Sequence, residues 1–391
     1  MDKIRIGTIG ACGRGWLADL CHNPENGVEV VAGMDINEKQ IEKFKNRFHD
    51  KYKQYPKGYT DYKEMLEKEK LDAVFITSPD FCHEEHAVYA LSHGVAVYLE
   101  KPMAITVEGC DRILKTAKEY NSKIMVGHNM RYHNYTNQMK DIIDSGTIGK
   151  VRAIWCRHFI SYGGDAYFRD WHADRSKSTS LLLQKGAHDI DIIHWLANSY
   201  SSQVSGIGNL TVYDKLPRRA NPEEKPDCSF NASHWPPMEQ SGFHPIMDVE
   251  DHNIINMQLA NGVQACYMQC HYTPDCCRNY TIIGTKGRIE NYGNSQEGTT
   301  VELWTKRKDT FRMHGDVTFR TPPDVGHHGG TDNKIINGFI EYIRDDKIPA
   351  TSPKGARYSV ATGCAGAQSI RSGGRPVKVA PLAEELETYT Y

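Results

Sequence analysis

The chain has 391 residues, 39% of them hydrophobic, and this length and composition predict two domains with separate cores. The formal net charge of −2 gives no support to binding driven by bulk positive charge, so we expect no nucleic-acid partner. The sequence contains no apolar stretch of transmembrane length and no charged-then-apolar leader, and its eleven cysteines form no paired CxxC framework. We therefore expect a cytoplasmic protein that does not associate with membranes.

A glycine-rich turn between a strand and a helix is the first motif along the chain. An apolar strand pattern over residues 4–9 is followed by Gly-Ala-Cys-Gly-Arg-Gly at 10–15 and then by a helical pattern. A second strand pattern over 28–34 ends at Asp35. This order predicts a dinucleotide site, with the pyrophosphate at the helix N-terminus and the acid on the ribose hydroxyls. Because Asp35 would repel a 2′-phosphate, NAD is favoured over NADP.

Apolar strand patterns then alternate with helical ones as far as residue 127, which predicts a doubly wound parallel sheet. The strand over 95–99 is followed directly by Glu100-Lys101-Pro102. Because the carboxyl ends of parallel strands face the ligand crevice, Lys101 is a candidate acid, base or substrate-orienting group. The alternative interpretation is a surface charge pair with a proline that ends the strand.

Several of these motifs occur together in one known family. The turn at 10–15, Asp35, Ser78-Pro79, Glu100-Lys101-Pro102 and the segment 129–132 resemble, in this order and spacing, the Gfo/Idh/MocA oxidoreductases. The resemblance implies NAD as cofactor and Lys101 near the nicotinamide and the reacting hydroxyl. The cofactor-binding residues that we predict are Gly10, Cys12, Gly13, Arg14, Gly15, Asp35, Ser78, Pro79 and Glu100. Cys12 departs from the pattern, since it stands where the second glycine usually lies.

The resemblance also implies the fold and the domain organisation. We expect an α/β protein with an N-terminal Rossmann domain over 1–128 and a C-terminal α/β domain over 129–391. The second domain would contain a large, open, mostly antiparallel sheet, which commonly mediates oligomerisation in relatives, so we expect a homodimer or homotetramer. Residues 208–245 are polar and rich in proline, and we interpret them as an insertion that forms a lid or a subunit arm.

An amphipathic helix predicted over 181–196 carries the second catalytic candidate. His188 occupies the position of the family's catalytic histidine. Relatives often have an aspartate four residues earlier, where this chain has Gln184. A glutamine orients a hydroxyl but takes no proton, so the acid–base work would fall to His188 and Lys101.

Substrate contacts are expected in three places. The loop 162–180 combines aromatic and hydrogen-bonding residues that suit a sugar ring, the segment 326–332 contains two histidines, and Lys185 adds a cation beside Gln184. An ordinary packed loop and a helix N-terminal loop capped by Asp332 are the alternatives. The substrate-binding residues that we predict are Arg131, Tyr132, Tyr162, Arg169, Trp171, His172, Gln184, Lys185, His327 and His328. Asp248, Glu250 and His252 alternate along a strand, but such edge charges are common and we expect no metal.

These features predict NAD-dependent oxidation of a secondary hydroxyl, at C3, of a sugar, glycoside or cyclitol. One alternative is an NAD-dependent glycosidase that oxidises C3 transiently and eliminates the aglycone without net NADH. Its extra base would be Tyr162, His158 or another histidine. A second alternative is a non-catalytic NAD-binding regulator, against which Lys101 and His188 argue.

Overall fold

The computed structural model describes residues 3–221, 224 and 226–389, apart from the side chains of residues 327 and 328. Its strands are β1 (Ile4–Ile9), β2 (Val28–Met34), β3 (Lys57–Tyr59), β4 (Ala73–Ile76), β5 (Ala96–Leu99), β6 (Ile124–Val126), β7 (Val151–Phe159), β8 (Ser201–Asn209), β9 (His252–Leu259), β10 (Gln264–Cys270), β11 (Cys277–Gly284), β12 (Arg288–Tyr292), β13 (Thr300–Trp304), β14 (Val317–Arg320) and β15 (Val377–Lys378). Its α-helices are α1 (Glu38–Tyr52), α2 (Tyr62–Glu69), α3 (His83–Ser92), α4 (Val107–Glu119), α5 (Asn134–Asp144), α6 (Gly163–Tyr167), α7 (Arg175–Ser178), α8 (Leu181–Gln184), α9 (Ala187–Ala197), α10 (Thr331–Asp345), α11 (Pro353–Arg371) and α12 (Glu384–Glu387). None of the helices so described combines the length and hydropathy needed to cross a membrane.

The chain divides into two compact units. The first contains residues 1–129, 330–357 and 382–391, and the second contains 130–329 and 358–381. The sequence pattern led us to expect one boundary near residue 128, with all later residues in the second domain. Two C-terminal segments instead pack with the first unit.

The first unit contains a six-stranded sheet in the order β3-β2-β1-β4-β5-β6, and all neighbouring strands are parallel. This is the predicted doubly wound sheet, and its strand order is that of a Rossmann fold. The strands are short and almost entirely buried, because helices cover both faces of such a sheet. The residues that follow β1, β2, β4 and β5 therefore lie at one edge.

Helix α10 explains why a late segment belongs to the first unit. The helix buries Ile335, Ile336 and Phe339 on one face. The Phe339 ring packs edge-on against Phe75 of β4 and Tyr98 of β5, with centroids 5.5 and 5.7 Å apart. Apolar contacts of this kind bring a segment distant in sequence into the first core.

The second unit contains a nine-stranded sheet in the order β14-β13-β12-β11-β7-β10-β9-β8-β15. Only the β7–β10 pair is parallel, so the prediction of an open, mostly antiparallel sheet is confirmed. Side chains alternate along β7, where Ile154, Cys156 and His158 are buried and Trp155 is exposed. One face of the sheet therefore supports the helices and the other is open.

The prediction of one continuous helix over 181–196 is wrong. The structure has two helices, α8 and α9, which are interrupted at Lys185 and Gly186. A β-carbon on Gly186 would lie 2.3 Å from the Leu182 carbonyl oxygen and 3.0 Å from the Tyr267 ring. The close approach of the backbone to β10 breaks the helix, and the periodicity of the sequence does not report such a contact.

The insertion over 208–245 contributes to a hydrophobic cluster of the second unit. Tyr213, Leu216 and Phe243 are buried there with residues of the segment 160–181. The Tyr213 ring stacks on Phe168 with centroids 4.3 Å apart. This hydrophobic cluster anchors the described part of the insertion. The role of the insertion as a lid or subunit arm remains a prediction.

Candidate functional site

In the first unit, the glycine-rich turn lies against the end of β4. Gly10 has φ +83°, and a β-carbon there would lie 2.8 Å from the Ser78 nitrogen. A β-carbon on Gly15 would lie 2.2 Å from the Gly10 carbonyl oxygen. At Gly13, by contrast, a β-carbon would meet no atom within 4 Å. Glycine is therefore required for packing at 10 and 15, while the backbone at 13 faces open space, as a pyrophosphate-binding turn needs.

The other predicted cofactor residues occupy the same sheet edge. Asp35 directly follows β2, is partly buried, and accepts a hydrogen bond from the Asn37 nitrogen over 3.0 Å. Cys12 has extended backbone angles and donates its thiol to the Gln40 carbonyl over 3.3 Å. These residues fit an NAD adenosine half, since the acid and the turn lie at the ends of adjacent parallel strands.

A histidine connects the loops after β4 and β5. His83 is buried, with Nε2 2.9 Å from the Ser78 carbonyl oxygen and Nδ1 2.7 Å from that of Pro102. Burial lowers the pKa of His83, so the ring is neutral near pH 7 and has one N–H to donate. Ser78 Oγ lies 2.9 Å from His86 Nδ1, and Pro79 follows in the same loop. His83 is therefore a buried anchor between the two loops.

A charged cluster surrounds the strand end that carries Lys101. The Arg14 guanidinium binds Glu100 over 2.8 Å and Asp332 over 2.8 Å. Asp332 also accepts from the Asn129 amide over 3.0 Å, and Glu100 accepts from the Lys101 backbone nitrogen over 3.1 Å. We call Arg14, Glu100, Asp332 and Asn129 the Arg14 cluster. It joins the glycine-rich turn to the residue before Lys101 and to the start of α10.

The two carboxylates of the Arg14 cluster favour the charged form of Arg14. Burial acts to lower the pKa of Arg14, but Glu100 and Asp332 outweigh it and raise that pKa above its ordinary value. The sequence predicted Arg14 and Glu100 as cofactor residues and Asp332 as a possible cap. The structure brings all three together, and neither spacing nor motif indicated the contact because Arg14 and Asp332 are 318 residues apart.

In the second unit, the interruption between α8 and α9 holds Lys185. Its Nζ donates to the Tyr162 hydroxyl over 2.9 Å and lies 5.3 Å from the Tyr162 ring centroid and 5.7 Å from that of Tyr167. Burial acts to lower the pKa of Lys185, but the phenols of Tyr162 and Tyr167 outweigh it and raise that pKa. Lys185 is therefore a charged ammonium at pH 7 that lies between two aromatic rings. Gln184, the residue before it, is buried at the end of α8.

The residue after His188 fixes helix α9 to the sheet. Asp189 is fully buried, forms an ion pair with the Arg278 guanidinium over 2.8 Å, and accepts hydrogen bonds from His158 and from the Tyr267 hydroxyl, each over 2.9 Å. The Tyr280 hydroxyl is a further donor to the same carboxylate. We call these five residues the Asp189 cluster. It sets the position of the first turn of α9 and hence of His188.

The pKa shifts in the Asp189 cluster follow from one ion pair. Burial alone would raise the pKa of Asp189, but Arg278 and His158 lower it well below its usual range. Burial and the Arg278 charge lower the pKa of His158 to about 3. The aspartate and arginine are therefore charged and the histidine is neutral at pH 7. Sequence reasoning missed this cluster, although Asp189 directly follows His188 on the predicted helix and could have indicated it.

The remaining predicted substrate residues have diverse surroundings. Arg131, which precedes Tyr132, forms a buried two-point pair with Asp191, with both distances 2.7 Å. Arg169 donates to the Ser241 carbonyl over 2.7 Å and therefore holds the insertion. Trp171 stacks on His172, and Tyr167 meets the His172 ring edge-on. The side chains of His327 and His328 lie outside the described residues.

The candidate metal triad has other partners. Glu250 pairs with Arg371 over 2.8 Å, and Asp248 lies 3.6 Å from the Arg175 guanidinium. Within the part of the chain that the structure describes, no group of three or more His, Cys, Asp or Glu side chains is arranged to hold a metal ion.

Comparisons with known proteins agree with this architecture. A family model described as an oxidoreductase NAD-binding Rossmann fold matches residues 4–128, and one described as the C-terminal alpha/beta domain of the same family matches 140–379. Inositol 2-dehydrogenase of Salmonella typhimurium is 34% identical over 198 residues, which cover 50% of this chain and 54% of that protein. Inositol 2-dehydrogenase of Burkholderia lata is 26% identical over 376 residues, which cover 92% of this chain and 96% of that protein.

A solved structure shows the same fold over the full length. A levoglucosan dehydrogenase in complex with NADH and levoglucosan superposes with a TM-score of 0.78 at 18% identity, over 97% of this chain and 100% of that one. The two family models together span most of the sequence, so the resemblance inferred from the motifs is confirmed. The chain belongs to the Gfo/Idh/MocA family of oxidoreductases, with an NAD-binding Rossmann domain followed by the family's C-terminal α/β domain.

Proposed function

We propose that the protein oxidises a secondary hydroxyl, at C3, of a sugar, glycoside or cyclitol with NAD as the oxidant. The observation that carries this proposal is the edge of the first sheet, where the glycine-rich turn, Asp35 and Lys101 follow three strands of one parallel sheet. The relatives named inositol 2-dehydrogenase and the levoglucosan dehydrogenase fold support a polyhydroxylated substrate. Asp35 favours NAD, because its carboxylate binds ribose hydroxyls and repels a 2′-phosphate.

In the proposed reaction, NAD supplies the hydride acceptor when it is bound. His188 takes the hydroxyl proton as the carbon loses its hydrogen with the bonding electrons and the carbonyl forms. A histidine suits this task because imidazole ordinarily titrates near neutral pH. Lys101 donates a hydrogen bond to the substrate oxygen and stabilises the charge that develops on it. Gln184 orients a hydroxyl, since its amide cannot take the proton.

The proposal is tested with purified protein, NAD or NADP, and a panel that includes myo-inositol, levoglucosan and methyl glucosides. We expect NADH to accumulate with at least one polyol and NADP to be used poorly. Lys101→Ala and His188→Asn should each lower kcat by about 100-fold or more. Lys115→Ala, on the exposed side of α4, is the matched control. Unchanged turnover in Lys101→Ala would refute the assignment of Lys101.

The redox-neutral glycosidase is the second candidate, and one contact favours it. Tyr162 lies 2.9 Å from the Lys185 ammonium, and a phenol beside a fixed cation is a suitable base for the proton at C2 of a 3-keto sugar. In this reaction the C2 proton and the aglycone leave, water adds, and the hydride returns to C3. Release of aglycone without net NADH, with solvent deuterium at C2, would identify the glycosidase. NADH formed in proportion to ketone would identify the dehydrogenase.

We also propose that the open face of the second sheet joins copies of this chain into a homodimer or homotetramer. The face carries exposed apolar side chains in neighbouring strands, among them Trp155 of β7, Ile254 of β9 and Ile283 of β11. An apolar face of this kind favours burial against an identical copy. Light scattering should report an oligomer, and the double substitution Trp155→Arg with Ile283→Asp should give monomers. A monomeric wild-type protein would exclude this assembly.

A further inference from the structure

The ammonium of Lys185 is a half-buried positive charge that has no carboxylate partner among the residues that the structure describes. Among the described residues, its polar contacts are the hydroxyls of Tyr162 and Tyr167, and the two tyrosine rings pack around it. The residue before it, where relatives often have an acid, is the neutral Gln184. The described surroundings of Lys185 therefore stabilise a cation with dipoles and aromatic faces, and no carboxylate among them pairs with it.

The neighbouring titratable groups do not supply that charge either. The Asp189 carboxylate is engaged by Arg278, and the two charges cancel. Burial lowers the pKa of both His158 and His271, so these rings are neutral at pH 7. With Lys185 at +1, Arg278 at +1 and Asp189 at −1, the group carries a net charge of +1.

A second buried group beside Lys185 has hydrogen-bonding capacity to spare. His271 is fully buried, and both of its ring nitrogens lack a hydrogen-bond partner among the described residues. Its ring meets Tyr167 edge-on at 5.4 Å, and Tyr167 is one of the two rings around Lys185. A neutral imidazole donates one N–H, so His271 is a candidate donor next to the cation.

We propose that Lys185 binds the carboxylate of an acidic substrate, so that the sugar oxidised by this enzyme is a uronic acid or a related carboxylated sugar. This inference rests on the proposed oxidation of a sugar hydroxyl and names its substrate class. A buried charge is expensive unless it is paired, and a carboxylate supplies a permanent counter-charge in the ground state. An alkoxide at the reacting carbon exists only transiently and would leave the ammonium unpaired for most of the cycle.

The test compares substrates that differ only in the carboxylate. Initial rates and products are measured with NAD for D-glucuronate against D-glucose and for D-galacturonate against D-galactose. We expect wild-type kcat/KM to be about 100-fold higher for the better acid than for its neutral counterpart, as for a desolvated charge pair. Lys185→Met keeps the length of the side chain and removes its charge, and it should reduce this ratio to near one. Lys286→Met, at an exposed turn, is the matched control and should keep the ratio.

Each outcome decides the question. Equal rates on both members of each pair, or a Lys185→Met variant that slows both by the same factor, would overturn carboxylate binding, and the latter would assign Lys185 to the chemical step. If no sugar is oxidised, the proposed function fails, but calorimetry with D-glucuronate and D-galacturonate in the presence of NADH still tests Lys185. Binding that weakens about 100-fold in Lys185→Met supports the site, and absent or equal binding overturns it.

Discussion

The two units handle a partly buried positive charge in opposite ways. In the first, Arg14 is bound by two carboxylates, Glu100 and Asp332, and the cation connects three segments of the same unit. In the second, the described contacts of Lys185 are phenol hydroxyls and aromatic rings. A cation with an excess of counter-charge stabilises structure, whereas one without counter-charge is poised to bind a ligand. The Asp189 cluster, beside Lys185, resembles the first arrangement, so the contrast also exists within the second unit.

The largest expected effect is at the Asp189 carboxylate. Asp189→Asn would leave Arg278 buried without a counter-charge, and we expect the free energy of unfolding to fall by about 3–5 kcal/mol. Denaturant unfolding followed by circular dichroism measures it, with the exposed Asp141→Asn as control. A loss below about 1 kcal/mol, the range of a surface pair, would show that the cluster is not structural.

Removal of the cation from the Arg14 cluster should have an intermediate effect. Arg14→Met leaves Glu100 and Asp332 facing each other, and we expect a loss of about 2 kcal/mol because the guanidinium is partly exposed. NADH affinity, measured by fluorescence, should fall in the same variant, since the glycine-rich turn loses its connection to β5. Adding Asp332→Asn should recover part of the stability. If the losses of stability in the two single variants simply add in the double variant, Arg14 and Asp332 are not coupled.

The pH dependence of stability distinguishes the clusters, because only the Asp189 cluster contains a histidine. The pKa of His158 is about 3 in the folded protein against 6.5 for an ordinary histidine. Between these values the unfolded chain binds the proton and the folded one does not, so the free energy of unfolding falls as the pH falls below 6.5. His158→Gln should reduce this slope by up to about 1.4 kcal/mol per pH unit. Unfolding titrations between pH 5 and 7 measure it, with His49→Gln to control for loss of a ring, and an unaltered slope would contradict the prediction.

The smallest effect expected is at Lys185. Because the tyrosine hydroxyl and the aromatic rings already stabilise the ammonium, Lys185→Met should change the free energy of unfolding by less than about 1 kcal/mol. The ligand-free protein is used for this thermal and denaturant unfolding, again with Lys286→Met as control. A loss of several kcal/mol would mean that Lys185 is part of the supporting structure, like Arg14.

Local sequence signals predicted the parts of the fold that depend on local physics. The strand before Gly10, the acid after β2 and the Glu-Lys-Pro corner after β5 all follow from apolar runs and their end residues. The order of these motifs was sufficient to indicate the family, which the family models confirm.

The contacts that distinguish the surroundings of Arg14 from those of Lys185 could not be predicted from local sequence signals. Asp332 reaches Arg14 from 318 residues away, and the donors to Asp189 come from β7, β10 and β11. The break at Gly186 depends on the close approach of Tyr267, which helical periodicity does not encode. Such features require the tertiary fold, because they join residues that no spacing rule relates.

The interruption between α8 and α9 has a consequence for how this enzyme can diversify. Residue 185 lies at the end of one short helix, and the next helix, which carries His188, is anchored separately through Asp189. On the role proposed for Lys185, a lineage can exchange the side chain at 185, and with it the charge of the ligand, without moving the group proposed for proton transfer. The same independence makes residue 185 the natural position at which to redesign substrate charge.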